Sequence, residues 1–178
     1  MIYMLLTDGF EDIEALETLD ILRRAGLDTK TVGIAEKTVT SSHDVTVMCD
    51  ITLEEADFAD MRMLILPGGP GHTAFTDSEK VRALIASAFE QGLYIAAICA
   101  SPSVIGKMGL LKGRRFTCFP GFEDTVTGGI YSPEKVVSDG KFITARGAGA
   151  ASDFGFEIVT LFKGKQAAQR LKEQMQYI

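Results

Sequence analysis

No stretch of this chain approaches the roughly 18 consecutive apolar residues that a membrane-spanning helix needs, so no membrane partner is expected. A basic surplus is missing as well. Eighteen Lys and Arg stand against 24 Asp and Glu, giving a net charge of -6 and a pI near 5.0. Proteins that grip nucleic-acid phosphates need the opposite balance, so no nucleic-acid partner is expected. Cysteine is scarce: Cys49, Cys99 and Cys118 are odd in number and show no CxxC spacing. That argues against a disulfide framework and a structural zinc site and fits a reducing compartment. Histidine is scarcer still, with His43 and His72 alone and no HxxxH or H-x-E spacing, so no metal is expected. Neither GxxxxGK[ST] nor GxGxxG occurs at the glycine-rich loops, which disfavours a phosphate loop; no cofactor is expected. Met1 runs straight into Ile2-Tyr3-Met4-Leu5-Leu6, a strand pattern rather than a signal peptide, so a cytoplasmic location is expected. Repeats, low-complexity tracts and linkers are absent, and 1–178 reads as a single domain.

What is present alternates between strands and helices. Apolar runs at Ile2–Leu6, Met63–Leu66 and Tyr94–Ile98 read as strands buried on both faces, the mark of a parallel sheet. Asp28–Ile34 reads as a further strand. Asp12–Arg24 carries an apolar stripe from Ile13 to Leu22, acids in its first turn, arginines in its last and Gly26 behind it. Ser78–Gln91 repeats that pattern, stopped by Gly92. Thr38–Val47 suggests a small hairpin, Leu53–Ala59 a short helix and Phe116–Phe119 a short strand. Val136–Ala145 reads as a hairpin around Asp139-Gly140. Ser152–Phe162 and Lys165–Gln176 close the chain as amphipathic helices. This order predicts an α/β sandwich with a mostly parallel sheet.

In such a sheet ligands bind beyond the carboxyl ends of the strands. Thr7–Asp12, Pro67–His72, Cys99–Ser101 and Arg146–Ala150 all leave strands at that edge. Cys99 ends the most buried strand pattern, and Ser101-Pro102 opens a helix behind it, with Ser101 expected as N-cap. A tight turn there exposes the sulfur beside free backbone N–H groups and a helix start, which predicts a lowered thiol pKa. Gly68 and Gly69 let backbone approach a ligand, and the N–H groups of Gly69 and Ala100 are candidates for an oxyanion hole over Cys99. Glu14, in the first turn of the first helix, is the candidate proton carrier, with a pKa raised by partial burial. His72 lies just past the Gly-Gly turn and His43 in the hairpin; both are possible accessory residues.

Four stretches, in order, resemble one known family. Ala96-Ala97-Ile98-Cys99-Ala100-Ser101-Pro102 is similar to the A-A-I-C-A-x-P signature of the DJ-1/ThiJ/PfpI superfamily, nearest its DJ-1/YajL branch. Glu11-Asp12-Ile13-Glu14 resembles the family's E-E-x-E, and Leu64–Gly69 its V-L-P-G-G. Thr144–Phe154 resembles its T-S-x-G-P-G-T-A-x-D-F. The resemblance implies a flavodoxin-like three-layer sandwich that forms a homodimer, with Cys99 as an oxidisable nucleophile and Glu14 as the protonated carboxyl bonded to it. It implies Gly69 and Ala100 as the oxyanion donors. Members are described as cofactor-free glyoxalases that turn methylglyoxal into lactate, as deglycases, as redox-responsive chaperones in oxidative stress, and as peptidases. The expected partner is therefore a small carbonyl substrate or an oxidant. Two departures stand out. Phe119-Pro120 occupies the place of a family His-Pro, and Ala100 follows Cys99 where the PfpI peptidases carry histidine, so a peptidase is the least favoured reading. His43 falls where family members hold an arginine near the dimer interface.

Overall fold

The computed structural model describes residues 1–177. Eleven strands are formed among them. They are β1 (Ile2–Leu6), β2 (Thr29–Gly33), β3 (Thr38–Thr40), β4 (Thr46–Met48), β5 (Ile51–Thr52), β6 (Met63–Leu66), β7 (Tyr94–Ile98), β8 (Arg115–Phe116), β9 (Ile130–Tyr131), β10 (Val136–Asp139) and β11 (Phe142–Ala145). The helices are α1 (Thr18–Arg24), α2 (Thr73–Asp77), α3 (Glu79–Glu90), α4 (Pro102–Lys107), α5 (Ala151–Lys163) and α6 (Lys165–Gln174). Seven strands form one sheet in the order β10-β11-β7-β6-β1-β2-β5, parallel except for the β10–β11 hairpin at one edge.

Side chains of a strand alternate between faces, and here both faces are dry. Met4, Leu6, Ile65, Ala96 and Ile98 join one core with Ile21, Leu22, Phe154 and Ile158, under α1, α5 and α6. Tyr3, Leu5, Leu64, Leu66, Ile95 and Ala97 join the other with Val81, Ile85, Val104 and Ile105, under α3 and α4. This is the flavodoxin-like α/β sandwich. No helix among the described residues is long and apolar enough to cross a membrane.

Several elements differ from expectation. The first helix begins as a π-helical turn, Ile13–Glu17, before α1 takes over. Residues 53–59 form a turn and irregular chain instead of a helix, because the Tyr3 hydroxyl, in the buried core, donates to the Asp57 carbonyl at 2.7 Å and lies 2.9 Å from the Asp60 carboxylate. Strand β8 stops at Phe116, since the Thr117 N–H turns to Thr144 Oγ1 and the Phe119 N–H to the Cys99 carbonyl. In the β10–β11 hairpin Asp139 pairs with Phe142, so the turn residues are Gly140 and Lys141, with Gly140 at φ +60°. The β3–β4 hairpin is formed as expected, and Ser78 caps α3, its Oγ accepting from the Val81 N–H.

Candidate active site

Cys99 stands one residue beyond the central strand β7 with φ at +66°, in the left-handed region. A side chain there costs on the order of 1–3 kcal/mol and persists only where the surroundings hold it. They do so from both sides: the Cys99 N–H donates to the Ala145 carbonyl and its own carbonyl accepts from the Phe119 N–H, each at 2.8 Å. Ser101 stands at the N-cap position of α4 as expected, but its side chain caps no N–H there. Its buried hydroxyl donates to the Pro67 carbonyl at 2.5 Å instead, fastening the cysteine turn to the glycine-rich loop after β6.

That loop can come close only because it lacks side chains. A Cβ on Gly68 would lie 2.5 Å from Glu14 Oε2 and 2.6 Å from the Cys99 Cβ, distances no packed carbon adopts. Gly69, at φ +92°, is pressed against the backbone of Gly9–Glu11. The Gly68 N–H donates to Glu14 Oε2 at 2.9 Å, and the Glu14 side chain is also hydrogen-bonded to Cys99 and to the Ala148 N–H. Glu14 is 1% exposed, buried by the wider π turn at the start of its helix. The N–H groups of Gly69 and Ala100 both face the Cys99 sulfur. The structure thus brings Glu14, Gly68, Gly69, Cys99 and Ala100 into one cluster.

Burial pushes the Glu14 carboxyl up to about 7, the nearby Glu11 charge adding to it while the hydrogen bonds from Cys99, Gly68 and Ala148 oppose it. Burial also pushes the Cys99 thiol up to about 12, followed by the charge and hydrogen bond of Glu14, against the pull of the Gly69 and Ala100 N–H groups. The expected lowering of the thiol pKa is corrected here, because a dry pocket and a neighbouring carboxylate outweigh two backbone donors. The two groups titrate as a pair. The first proton leaves near neutrality and the second only in strong alkali, since two negative charges do not share one pocket.

A cavity of about 220 Å³ opens on the sulfur, lined by Gly69, Pro70, His72, Cys99, Ala100, Phe119 and Phe122. His72 therefore reaches the site, packed edge-on against Phe122 with its Nδ1 3.0 Å from the Gly69 carbonyl oxygen. His43 is not among the lining residues. It is exposed on the hairpin, its Nδ1 2.7 Å from Asp12 Oδ2, which raises its pKa. Glu11, Asp12 and His43 bring their ligand atoms within 4.8 Å of one another, the arrangement that comes nearest to a metal site among the described residues. These atoms are already engaged. Glu11 accepts from the Glu14 N–H, and Asp12 from the Ser41 hydroxyl and His43. Sequence reading missed the Ala148 N–H and the aromatic walls Phe119 and Phe122. Phe119-Pro120 was visible as a departure from the family pattern, while Phe122 carried no signal in its spacing.

A parallel α/β sheet that presents a left-handed cysteine at a central strand end, bonded to a buried carboxyl, defines a cysteine-elbow protein. The family model of DJ-1/PfpI matches residues 1–161, and the chain belongs to the DJ-1/PfpI family. It is 34% identical to protein dj-1beta of Drosophila melanogaster, over 94% of this chain and 92% of that one. Against DJ-1 homolog B of Arabidopsis thaliana it is 33% identical over 94% of this chain, which spans only 39% of that longer protein. A protein named as a deglycase from Pyrococcus abyssi is 29% identical, over 91% of this chain and 99% of that one. Among solved structures, a cysteine-to-alanine mutant of a DJ-1 superfamily protein from Salmonella typhimurium superposes with a TM-score of 0.95. It is 35% identical, with 99% and 98% of the two chains covered.

Proposed function

We propose that this protein is a cofactor-independent enzyme acting on small reactive carbonyls through Cys99, in the manner of a glyoxalase or deglycase. The observation that carries the reading is geometric: Cys99, held at φ +66° and opening on a cavity, stands beside the buried Glu14 carboxyl that the Gly68 N–H holds. Passing the sulfur's proton to Glu14 makes the thiolate that attacks.

In the proposed sequence the Cys99 sulfur adds to the aldehyde carbon of methylglyoxal. A C–S bond forms, the carbonyl pair moves to oxygen, and the Gly69 and Ala100 N–H groups hold that oxyanion until Glu14 protonates it. The Glu14 carboxylate then takes the proton from the former aldehyde carbon, giving an enediolate, and returns it to the neighbouring carbon, after which the hydroxyl proton passes to the new alkoxide and leaves a thioester carbonyl. The product is a lactoyl thioester on Cys99. Water cleaves the C–S bond, releasing lactate and the thiol, so the net change is addition of one water. The archaeal relative named as a deglycase supports chemistry on carbonyl adducts. A homodimer in a reducing, cytoplasmic setting belongs to the same reading; Val45 and Met48 on the β3–β4 hairpin, and Ile13 on the turn tied to it, expose apolar side chains. Lactate formation from methylglyoxal tests the proposal: wild type is expected to form it, and a Cys99→Ser protein that forms it equally fast rules the reading out.

A second reading, a redox-responsive or chaperone-like protein, is favoured by one observation. Cys99 is the partly open cysteine, whereas Cys49 and Cys118 are buried. Mild peroxide is then expected to add two oxygens at Cys99 first, read by intact mass and peptide mapping. First oxidation at Cys49 or Cys118 would remove the basis of this reading.

A further inference from the structure

Beside the Cys99 cavity lies a second and larger one of about 430 Å³, lined by Phe119, Pro120, Lys135, Arg146, Gly147, Ala148, Gly149 and Ala150. Phe119 is a wall of both. The loop that floors the second cavity begins at the reacting groups, because the Ala148 N–H is bonded to Glu14 and a Cβ on Gly147 would sit 3.9 Å from Glu14 Oε1. Methylglyoxal, three carbons long and uncharged, needs only the first cavity.

The charges of the second cavity are unusual for a chain with a net charge of -6. Arg146 is half-buried, and its guanidinium meets only the Pro133 carbonyl, at a long 3.4 Å; it forms no ion pair among the described residues. Lys135, whose carbonyl accepts from the Arg146 N–H at 3.0 Å, reaches Asp153 at 3.5 Å. A guanidinium beside a cavity with most of its donors unused is a fork shaped for a carboxylate or a phosphate.

We infer that the second cavity is the far half of the substrate site, where Arg146, helped by Lys135, holds the anionic end of a carbonyl compound or adduct whose reacting carbon sits at Cys99. The ligand passes over Phe119, which is 47% exposed and presents its ring to both cavities. The shared chemistry is a carboxylate or phosphate group a few bonds removed from the carbonyl. This inference rests on the proposed carbonyl chemistry, and it is tested without it.

Maleimides alkylate Cys99 whether or not carbonyls turn over. Three N-substituted maleimides with equal six-carbon tails are compared, ending in a carboxamide, a carboxylate or a phosphonate, with each rate divided by that for a small free thiol. Cys118→Ser and Cys49→Ser protein, carrying Cys99 alone, keeps the measurement on one sulfur. We expect one or both anionic reagents to gain about tenfold over the neutral one, the scale of one charge-assisted hydrogen bond; the larger gain names carboxylate or phosphate. Arg146→Gln should abolish that preference, Arg146→Lys should keep part of it and Lys135→Gln should lower it less. No anionic preference in the parent protein, or a preference that Arg146→Gln leaves intact, overturns the inference. Should Arg146→Gln fail to fold, Arg146→Lys and Lys135→Gln carry the same comparison, and an unchanged preference in both overturns it. A clear preference in a protein that converts no carbonyl would sink the proposed function and leave the anion subsite standing.

Discussion

Cys99 and Cys118 make an instructive pair. Burial pushes both thiols up to about 12, and Cys118 is followed in sequence by Phe119, whose N–H is bonded to the Cys99 carbonyl. Yet Cys118 is wholly buried, with the charge of Glu123 acting on it and, among the described residues, no acid hydrogen-bonded to its sulfur, while Cys99 opens on a cavity and touches Glu14 and two N–H donors. Burial is the largest cause for both, and the two thiols differ in what is added to it. For Cys118 the rise reflects a dry core with nothing to share its proton. For Cys99 the charge of Glu14 adds to burial, and that added part vanishes while Glu14 holds the proton. A thiol pKa therefore separates reactive from inert cysteine only when its causes are known.

The sharpest test of this contrast replaces each sulfur in turn. Cys99→Ser is expected to lose carbonyl turnover to background. Cys118→Ser should keep turnover while losing about 1–3 kcal/mol of stability, because a buried hydroxyl there lacks a partner; urea unfolding alongside a lactate assay reads both. Equal losses of turnover would erase the distinction.

Next in size is Glu14→Gln. The amide still fills the pocket and donates to sulfur, but it carries no proton back and forth, so turnover should fall about 10²- to 10⁴-fold with the fold intact. The pH dependence sharpens the point. A carboxyl raised from 4.5 to about 7 on folding binds protons more tightly in the native state. Its contribution to stability is therefore most favourable below 4.5, declines as pH rises toward about 7 and is constant above. The total is on the order of 3 kcal/mol, and Glu14→Gln should flatten that slope in unfolding measured between pH 4 and 8. Alkylation of wild-type Cys99 should rise through an inflection near 7 that the variant lacks.

Gly68→Ala aims at the spacing between the two groups. Its methyl would press on both Glu14 and the Cys99 Cβ, so a loss of about 1–3 kcal/mol is expected. The alkylation inflection near 7 should shift or disappear. The mildest effect belongs to Ser101→Ala, which removes the bond to Pro67 at a cost of about 1 kcal/mol. It should slow turnover by loosening the Pro67–Gly69 loop without moving the alkylation pH profile.

Much of this architecture was written in local pattern. Unbroken apolar runs at β1, β6 and β7 meant strands covered on both faces, and Ser78 with Gly92 bracketed α3. The cysteine elbow followed from a strand running into Ser101-Pro102. What escaped was set through space. Residues 53–59 have helix-forming composition, but the Tyr3 hydroxyl from β1 holds them open. Ser101 has the chemistry of a cap, but a carbonyl from another loop claims its hydroxyl. The thiol pKa depends on the sum of burial, a carboxylate and two N–H groups drawn from three separate segments, and no window of sequence contains that sum. Arg146 was placed at the sheet edge by its loop, while its want of an ion-pair partner became visible only in the folded chain.

The seven-stranded sheet also ends in a way that bears on the behaviour of the protein at high concentration. One margin is the two-residue β5, which offers a neighbouring chain almost no backbone to pair with; the other is the four-residue β10, crossed at its end by Arg115, whose backbone N–H donates to Asp139. Open strand margins are where folded proteins seed fibres. At the β5 margin growth by edge-to-edge stacking has little to start from, and at the β10 margin the chain at Arg115 already occupies the end of the strand.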